Sequence, residues 1–383
     1  MNENQKIKEV AALFLKLGII GFGGPAAHIS MMREEVVVKK KWLEEQHFLD
    51  LIGATNLIPG PNSTEMAIHI GHERAGWKGL IVAGLCFIVP AVMLTGIFAW
   101  LYKDYGQLPE IQPFLYGIKP AIIAIILGAI FPLAKKSLKT VRLGIIGVVV
   151  LLLSLLQFNE IALLFGAGFL ALFWNSLTNK DLNSKWNSFI PLTLLPVSKT
   201  ALLAPTNLNL FLIFLKIGAI LYGSGYVLFA FLDAELVAKG LLTRTQLIDA
   251  IAVGQFTPGP VFSSVTFVGY QINGISGALI STLAIFLPSF VFVALLNPLV
   301  KKMRNSKPFA VFLDAVNVAS IAIIVSICYE LGKETITDWR TILIAILSVG
   351  IVFKYKKVNS AFVVLGGAVL GYLLTLGIFD YLV

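Results

Sequence analysis

The chain alternates between long apolar stretches and short polar joints. Apolar runs cover Gly79–Trp100, Ala121–Ala134, Leu143–Leu156, Gly277–Leu296, Val318–Cys328 and Ala361–Phe379. Several approach the ~20 residues that a helix needs to cross ~30 Å of hydrocarbon. The shorter ones predict tilted, paired or broken segments. The pattern breaks most abruptly over residues 56–73, NLIPGPNSTEMAIHIGHE, where prolines, glycines, glutamates and histidines crowd into an oily background. Residues 45–57 and 62–75, on either side of Pro59-Gly60-Pro61, are each too short to span comfortably. Together they predict a hairpin or a discontinuous helix. Pro59 and Pro61 lack N–H donors and resist helix continuation, while Pro61 suits the first turn of a new helix. Asn62, Ser63 and Thr64 then sit where amides have no intrahelical partner. Irregular backbone at membrane depth is tolerated only inside protein or beside a wet cavity.

The same pattern is written twice. Phe14-Leu15-Lys16-Leu17-Gly18 recurs as Phe214-Leu215-Lys216-Ile217-Gly218, and at the same shift Gly23, Glu35 and Lys39 match Gly223, Glu235 and Lys239. One deletion later, Pro59-Gly60-Pro61 matches Pro258-Gly259-Pro260; after one more, Gly71, Gly76, Gly79 and Pro90 match Gly269, Gly274, Gly277 and Pro288. Such collinearity predicts two homologous halves, 1–176 and 207–383, joined by a linker over 177–206.

The basic residues orient the halves. Loops holding Arg33, Lys39, Lys40 and Lys41, and Lys135, Lys136, Lys139 and Arg142, are basic in the first half. Their counterparts are mixed, with Asp233, Glu235, Lys239 and Arg244, and Lys333, Glu334, Asp338 and Arg340. The nearly neutral loop 103–112 answers to one with Lys301, Lys302, Arg304 and Lys307. Lysine and arginine counts set insertion, so this alternation predicts opposite orientations. The fold expected is an all-α polytopic membrane protein of two inverted-topology repeats, with short broken or re-entrant helices at the PGP motifs. Inverted repeats are a common build of secondary transporters.

Composition fits this picture. Of 383 residues, 57% are hydrophobic and 13% charged, against about 25% charged in soluble proteins. The net charge of +9 is accounted for by the basic joints, and no basic patch interleaved with aromatics points to nucleic acid. Cys86 and Cys328 both lie in apolar runs, which implies neither a disulfide framework nor a metal cluster. The opening MNENQKIKEV lacks the apolar core of a secretory signal.

The candidate chemistry concerns anions. Inverted halves bring two helix starts toward one small volume near the midplane, with hydroxyls from Ser63, Thr64, Ser263 and Ser264. Each helix start carries roughly half a positive charge and binds anions through free N–H groups. A tetrahedral oxyanion suits such a site because its oxygens accept from several directions. The alternative is that PGP is a packing kink. Gly21, Gly23 and Gly24 with Pro25, and Gly223 and Gly225, interrupt the first segment of each half, either for close helix packing or as a second discontinuity. Lys16 and Lys216 either attract the anion or snorkel to an interface. Glu65, His69 and His72 share one helical face, the first two being candidates for proton coupling and Glu65 alternatively a cap. The His69-to-Glu73 stretch lacks the order of a zinc protease motif, and Tyr222-Gly223-Ser224-Gly225 lacks the spacing of a nucleophile elbow. No enzyme activity, metal or cofactor is expected.

In GFGGPAAHISMMREEVV and LIPGPNSTEMAIHIGHERAGWKG, and across both halves, the chain resembles the chromate ion transporter family in its two-domain form. The resemblance implies export of chromate, a sulfate-like oxyanion, across the cell inner membrane, and with it chromate resistance. It points to Gly23, Gly24, Pro25, Pro59, Gly60, Pro61, Asn62, Ser63, Thr64 and Glu65. The second copy keeps Pro258, Gly259 and Pro260 but departs at Tyr222–Gly225. Expected partners are chromate or sulfate and the lipid bilayer; a homodimer stays open. Alternatives are proton-coupled sulfate uptake and an amino-acid exporter of the lysine-exporter type.

Overall fold

The computed structural model describes residues 2–22, 24–178, 206–222, 225–296, 306–355 and 358–376. Among them the chain forms α-helices and no strand. The first half supplies α1 (Glu3–Ile20), α2 (Gly24–Arg33), α3 (Glu45–Thr55), α4 (Asn62–Tyr105), α5 (Gln112–Ser137), α6 (Val141–Leu155) and α7 (Glu160–Thr178). The second supplies α8 (Asn207–Ile220), α9 (Val227–Leu232), α10 (Arg244–Phe256), α11 (Ser264–Leu296), α12 (Lys307–Thr335), α13 (Trp339–Lys354) and α14 (Ser360–Thr375). The correspondence runs one to one. It extends to irregular turns: α2 and α9 each continue into a π-helical stretch, Glu34–Lys39 and Asp233–Val237.

The longest helix of each half folds back on itself. Ala75 (φ −144°) and Gly76 (φ 60°, ψ −149°) leave helical geometry inside α4, and Asn273 and Gly274 (φ 59°, ψ −150°) do the same in α11. Glycine adopts a positive φ of this kind without the penalty a side chain brings. A β-carbon on Gly71 would lie 2.3 Å from the carbonyl oxygen of Gly79, and one on Gly269 would lie 2.4 Å from that of Gly277. Residues eight apart on a straight helix are about 12 Å apart, so the limbs 62–74 and 77–105 lie side by side. The re-entrant hairpin expected at PGP is therefore α3 with residues 62–74. The long limb 77–105 is the true span.

Contacts between helix ends define two faces. Glu3 meets Lys78 at 3.1 Å, Glu9 meets Arg74 at 2.7 Å and Arg33 meets Glu45 at 2.7 Å, while Arg142 stands over the Trp174 ring. All belong to the first face, where α1 begins. On the second face, Asn273 donates to Asn207 at 2.6 Å, and Arg244 meets Asp233 at 3.1 Å and Glu334 at 2.8 Å. The second half thus begins where the first does not, and the repeats are inverted. Between the faces the outer surface is apolar: Met93 and Phe131 are each 63% exposed, and Leu279 is 62% exposed. Exposure of large apolar groups on this scale is suited to hydrocarbon rather than water.

Helices within each half pack the same way. Gly18 lets α1 touch the carbonyls of Cys86 and Phe87 on α4, and Gly218 lets α8 touch the carbonyl of Ile285 on α11. Helix α1 therefore ends near the middle of the long limb of α4, at about the depth of Pro90. Both α1 and α8 stop at mid-depth rather than crossing.

Candidate functional site

The two PGP loops are each fastened to the other half. The amide of Gly60 donates to the carbonyl of Leu221, just past the end of α8, at 2.8 Å. The amide of Gly259 donates to the carbonyl of Gly21, just past the end of α1, at 2.7 Å. These bonds are repeat equivalents, so the pseudo-two-fold relation holds at the level of single hydrogen bonds. His28 Nε2 also donates to the Gly21 carbonyl, at 2.8 Å. Both loops are buried, as are Ser63, Thr64, Glu65, Ser263 and Ser264.

Prolines explain the local geometry. Pro61 precedes α4 in an extended conformation, and its carbonyl accepts from Thr64 and Glu65, at 2.8 and 3.1 Å. Pro260 does the same for Ser263 at 2.9 Å, and a 3₁₀ turn, Val261–Ser263, leads into α11. The first amides of each helix start, beginning with Asn62 and Val261, lack intrahelical acceptors. Asn62 donates its side-chain amide to Asn56 at 2.8 Å, closing the first PGP loop on itself.

Polar groups cross between the halves here. Ser289 on α11 reaches Glu65 at 3.4 Å, and Thr95 on α4 reaches Ser263 at 3.4 Å. Among the described residues, several buried polar atoms have no hydrogen-bond partner: Thr64 Oγ1, Ser264 Oγ, Glu65 Oε2 and both ring nitrogens of His69. Buried polar atoms are normally paired, and an orphan calls for an explanation. An orphan hydroxyl thus stands at the start of each of the two helices, Thr64 in one half and Ser264 in the other.

A cavity of about 110 Å³ leads toward this region from the first face. Lys136 and Lys139 stand at its outer end, while Asn56, Val227 and Ser320 line it deeper down. Ser320 also donates to the carbonyl of Tyr222, beside the break between α8 and α9, at 3.1 Å.

The remaining expected residues fall as follows. Gly24 opens α2 with φ +76°, whereas Gly23 and Gly223 lie outside the described residues. Lys16 donates to Glu35 at 2.9 Å, joined by Lys39 at 3.2 Å; in the second half Lys239 donates to Glu235 at 2.6 Å and Lys216 binds the same carboxylate. Each lysine thus has a carboxylate partner. The three residues recur together in the repeat, but their pairing was not read from the sequence. Sequence reasoning missed Ser289 and Thr95, which carry no local motif, and did not single out His28 within GFGGPAAHISMMREEVV. It also read Lys136 and Lys139 only as topology signals.

An all-helical membrane protein of two inverted repeats, with broken helices meeting at mid-depth, has the architecture of a secondary transporter. The sequence model of the family described as chromate transporter matches the chain twice, over residues 8–172 and 208–372. The chain belongs to the chromate transporter family and is a transporter, not an enzyme. The chromate transport protein of Cupriavidus metallidurans is 32% identical, over 95% of this chain and 92% of that one. The probable chromate transport protein of Synechococcus elongatus is 29% identical, over 95% of each. The chromate transport protein of Pseudomonas aeruginosa is 28% identical, over 95% of this chain and 92% of that protein. No solved structure matches the chain.

Proposed function

We propose that this protein exports chromate from the cytoplasm and thereby confers chromate resistance, holding the dianion at mid-depth between the starts of α4 and α11. The observation that carries the reading is the reciprocal pair of bonds from Gly60 to Leu221 and from Gly259 to Gly21. They draw the two PGP loops and the ends of α1 and α8 into the same layer. The positive ends of α4 and α11 then act from opposite sides of the membrane. Hydroxyls of Thr64 and Ser264, unpartnered among the described residues, supply donors.

Positive charge assigns the cytoplasmic side. The first face bears Arg33, Lys39, Lys40, Lys41, Arg74, Lys78, Lys136 and Lys139, and basic residues favour the cytoplasm. Direction follows from charge. Each elementary charge crossing 100 mV is worth about 2.3 kcal/mol, so a dianion leaving an inside-negative cell gains roughly 4.6 kcal/mol per 100 mV. Export needs no further drive, whereas uptake needs coupled cations.

A second reading, proton-coupled sulfate uptake, draws on Glu65 and His69, one helical turn apart, both buried with orphan atoms. Oriented proteoliposomes decide between them. With chromate and sulfate compared under an imposed potential, export predicts chromate flux that follows the potential without a proton gradient. Flux of sulfate alone, and only with protons, would replace the export reading.

A further inference from the structure

The cavity on the basic face combines three observations. Its outer end holds two lysines and one carboxylate, with Lys139 donating to Asp314 at 2.7 Å. Asp314 lies on the second half and Lys139 on the first, so this ion pair bridges the halves across the cavity mouth. One wall is a stripe of α12: Asp314, Asn317, Ser320, Ile321 and Ile324, at the spacing of one helical face. Ten residues of helix advance about 15 Å, half of the ~30 Å hydrocarbon core. The stripe therefore runs from the membrane surface to mid-depth. At its inner end stands Asn56, already bonded to Asn62 in the first turn of α4.

We infer that this cavity is a docking vestibule for oxyanions, in which Lys136 and Lys139 receive the anion at the cytoplasmic face and Asn317 and Ser320 lead it toward the first PGP loop. This rests on the sidedness and anionic cargo argued above. Charge and shape support it. Two lysines against one carboxylate leave the mouth positive. A water needs about 10–15 Å³ of cavity volume, so a cavity of about 110 Å³ has room for a small hydrated ion. Asp314 is a latch as well as a competitor. It holds Lys139 while the mouth is idle, and an arriving dianion must take that lysine from it.

The competition gives substitutions of opposite sign. In inside-out vesicles, Lys136→Gln with Lys139→Gln raises KM for chromate roughly tenfold, the lower end of what electrostatic focusing supplies, with Vmax little changed. Asp314→Asn lowers KM, and Lys135→Gln, beside Lys136 in the last turn of α5 but outside the cavity lining, leaves it little changed. A readout independent of the cargo comes from Asn317→Cys. The protein is treated from the cytoplasmic side with an anionic and a cationic methanethiosulfonate, taking the native Cys86 and Cys328 as background. Relative to its rate with a free thiol, the anionic reagent is favoured over the cationic one, and removing both lysines lowers the anionic-to-cationic rate ratio about tenfold. An unchanged ratio overturns the vestibule, as does Asp314→Asn raising KM together with the lysine variants. If the unsubstituted protein moves no chromate while the ratio behaves as described, the export reading fails and the vestibule stands.

Discussion

The amide of Gly60 donates to the carbonyl of Leu221 at 2.8 Å, and through it the first PGP loop is pinned to the second half of the chain. The fit around Gly60 is tight. Its φ is +136°, and a β-carbon there would lie 2.2 Å from Glu65 Oε1 and 2.6 Å from Ser289 Oγ. Gly60→Ala is expected to cost at least about 1–3 kcal/mol from backbone strain alone, and to shift Glu65 and Ser289 as well. Gly24 also has positive φ but no neighbour within 4 Å of such a carbon. Gly24→Ala should therefore cost only the strain. Thermal unfolding in detergent and chromate flux, measured on both variants, check the ranking; equal losses contradict it.

Glu65 and His69 are a test of proton involvement. Glu65→Gln preserves shape and the contact with Ser289 while removing the ability to ionise. If Glu65 carries a proton in the cycle, the variant's flux becomes insensitive to pH across the range in which the parent's varies. A pH profile superimposable on the parent's leaves Glu65 as a structural group.

The lysine–glutamate clusters rank by burial. The Glu235 side chain is 5% exposed and its partner Lys216 is 31% exposed; for Glu35 and Lys16 the values are 12% and 53%. Removing one member of a buried pair leaves an uncompensated charge, whereas exposed pairs contribute about 0–1 kcal/mol. Lys216→Met should therefore destabilise by about 1–2 kcal/mol, discounted for the lysine's exposure and for the remaining Lys239, and Lys16→Met by less than about 1 kcal/mol. Denaturation of the two single variants side by side decides it.

Asp338 ties the second face together. It caps α13 through the amides of Arg340 and Thr341, at 2.8 and 3.0 Å, and accepts from Tyr116 on α5. Partial burial pushes its pKa up, but the hydrogen bonds from Tyr116, Thr341 and Arg340 outweigh it and hold the carboxyl below the ordinary aspartate value. A depressed folded pKa stabilises above the unfolded value, about 3.9, and that stabilisation is lost as pH falls through the folded value. Asp338→Asn keeps a capping oxygen but removes the negative charge at the helix start, and is expected to cost about 0.3–1 kcal/mol at pH 7. The difference from the parent should persist to pH 5 and close below about pH 4. A gap independent of pH refutes the charged cap.

Much of this architecture was legible in residue order. The duplication, the inversion and the hairpins at Pro59–Pro61 and Pro258–Pro260 follow from matched positions and from where lysine and arginine fall. Helix ends at Thr55 and Asn62 lie close to the expected boundaries because proline acts locally. The contacts between halves were not legible. Nothing near Gly60 announces Leu221, and nothing near Glu65 announces Ser289, because such pairings depend on how two separately folded units meet. Glu35 and Glu235 were visible as repeated residues, yet a carboxylate 19 positions from its lysine gives no helical spacing to read. Lys139 and Asp314 are 175 positions apart, so the cavity mouth they share had no trace in either half alone.

The exchanged bonds at Gly60 and Gly259 make each half the scaffold of the other's loop. Neither fragment would keep its PGP loop anchored if the polypeptide were severed between residues 178 and 206. Two such fragments produced together would regain transport only by reassociating, so the molecule is in effect an obligate heterodimer made from a single gene product.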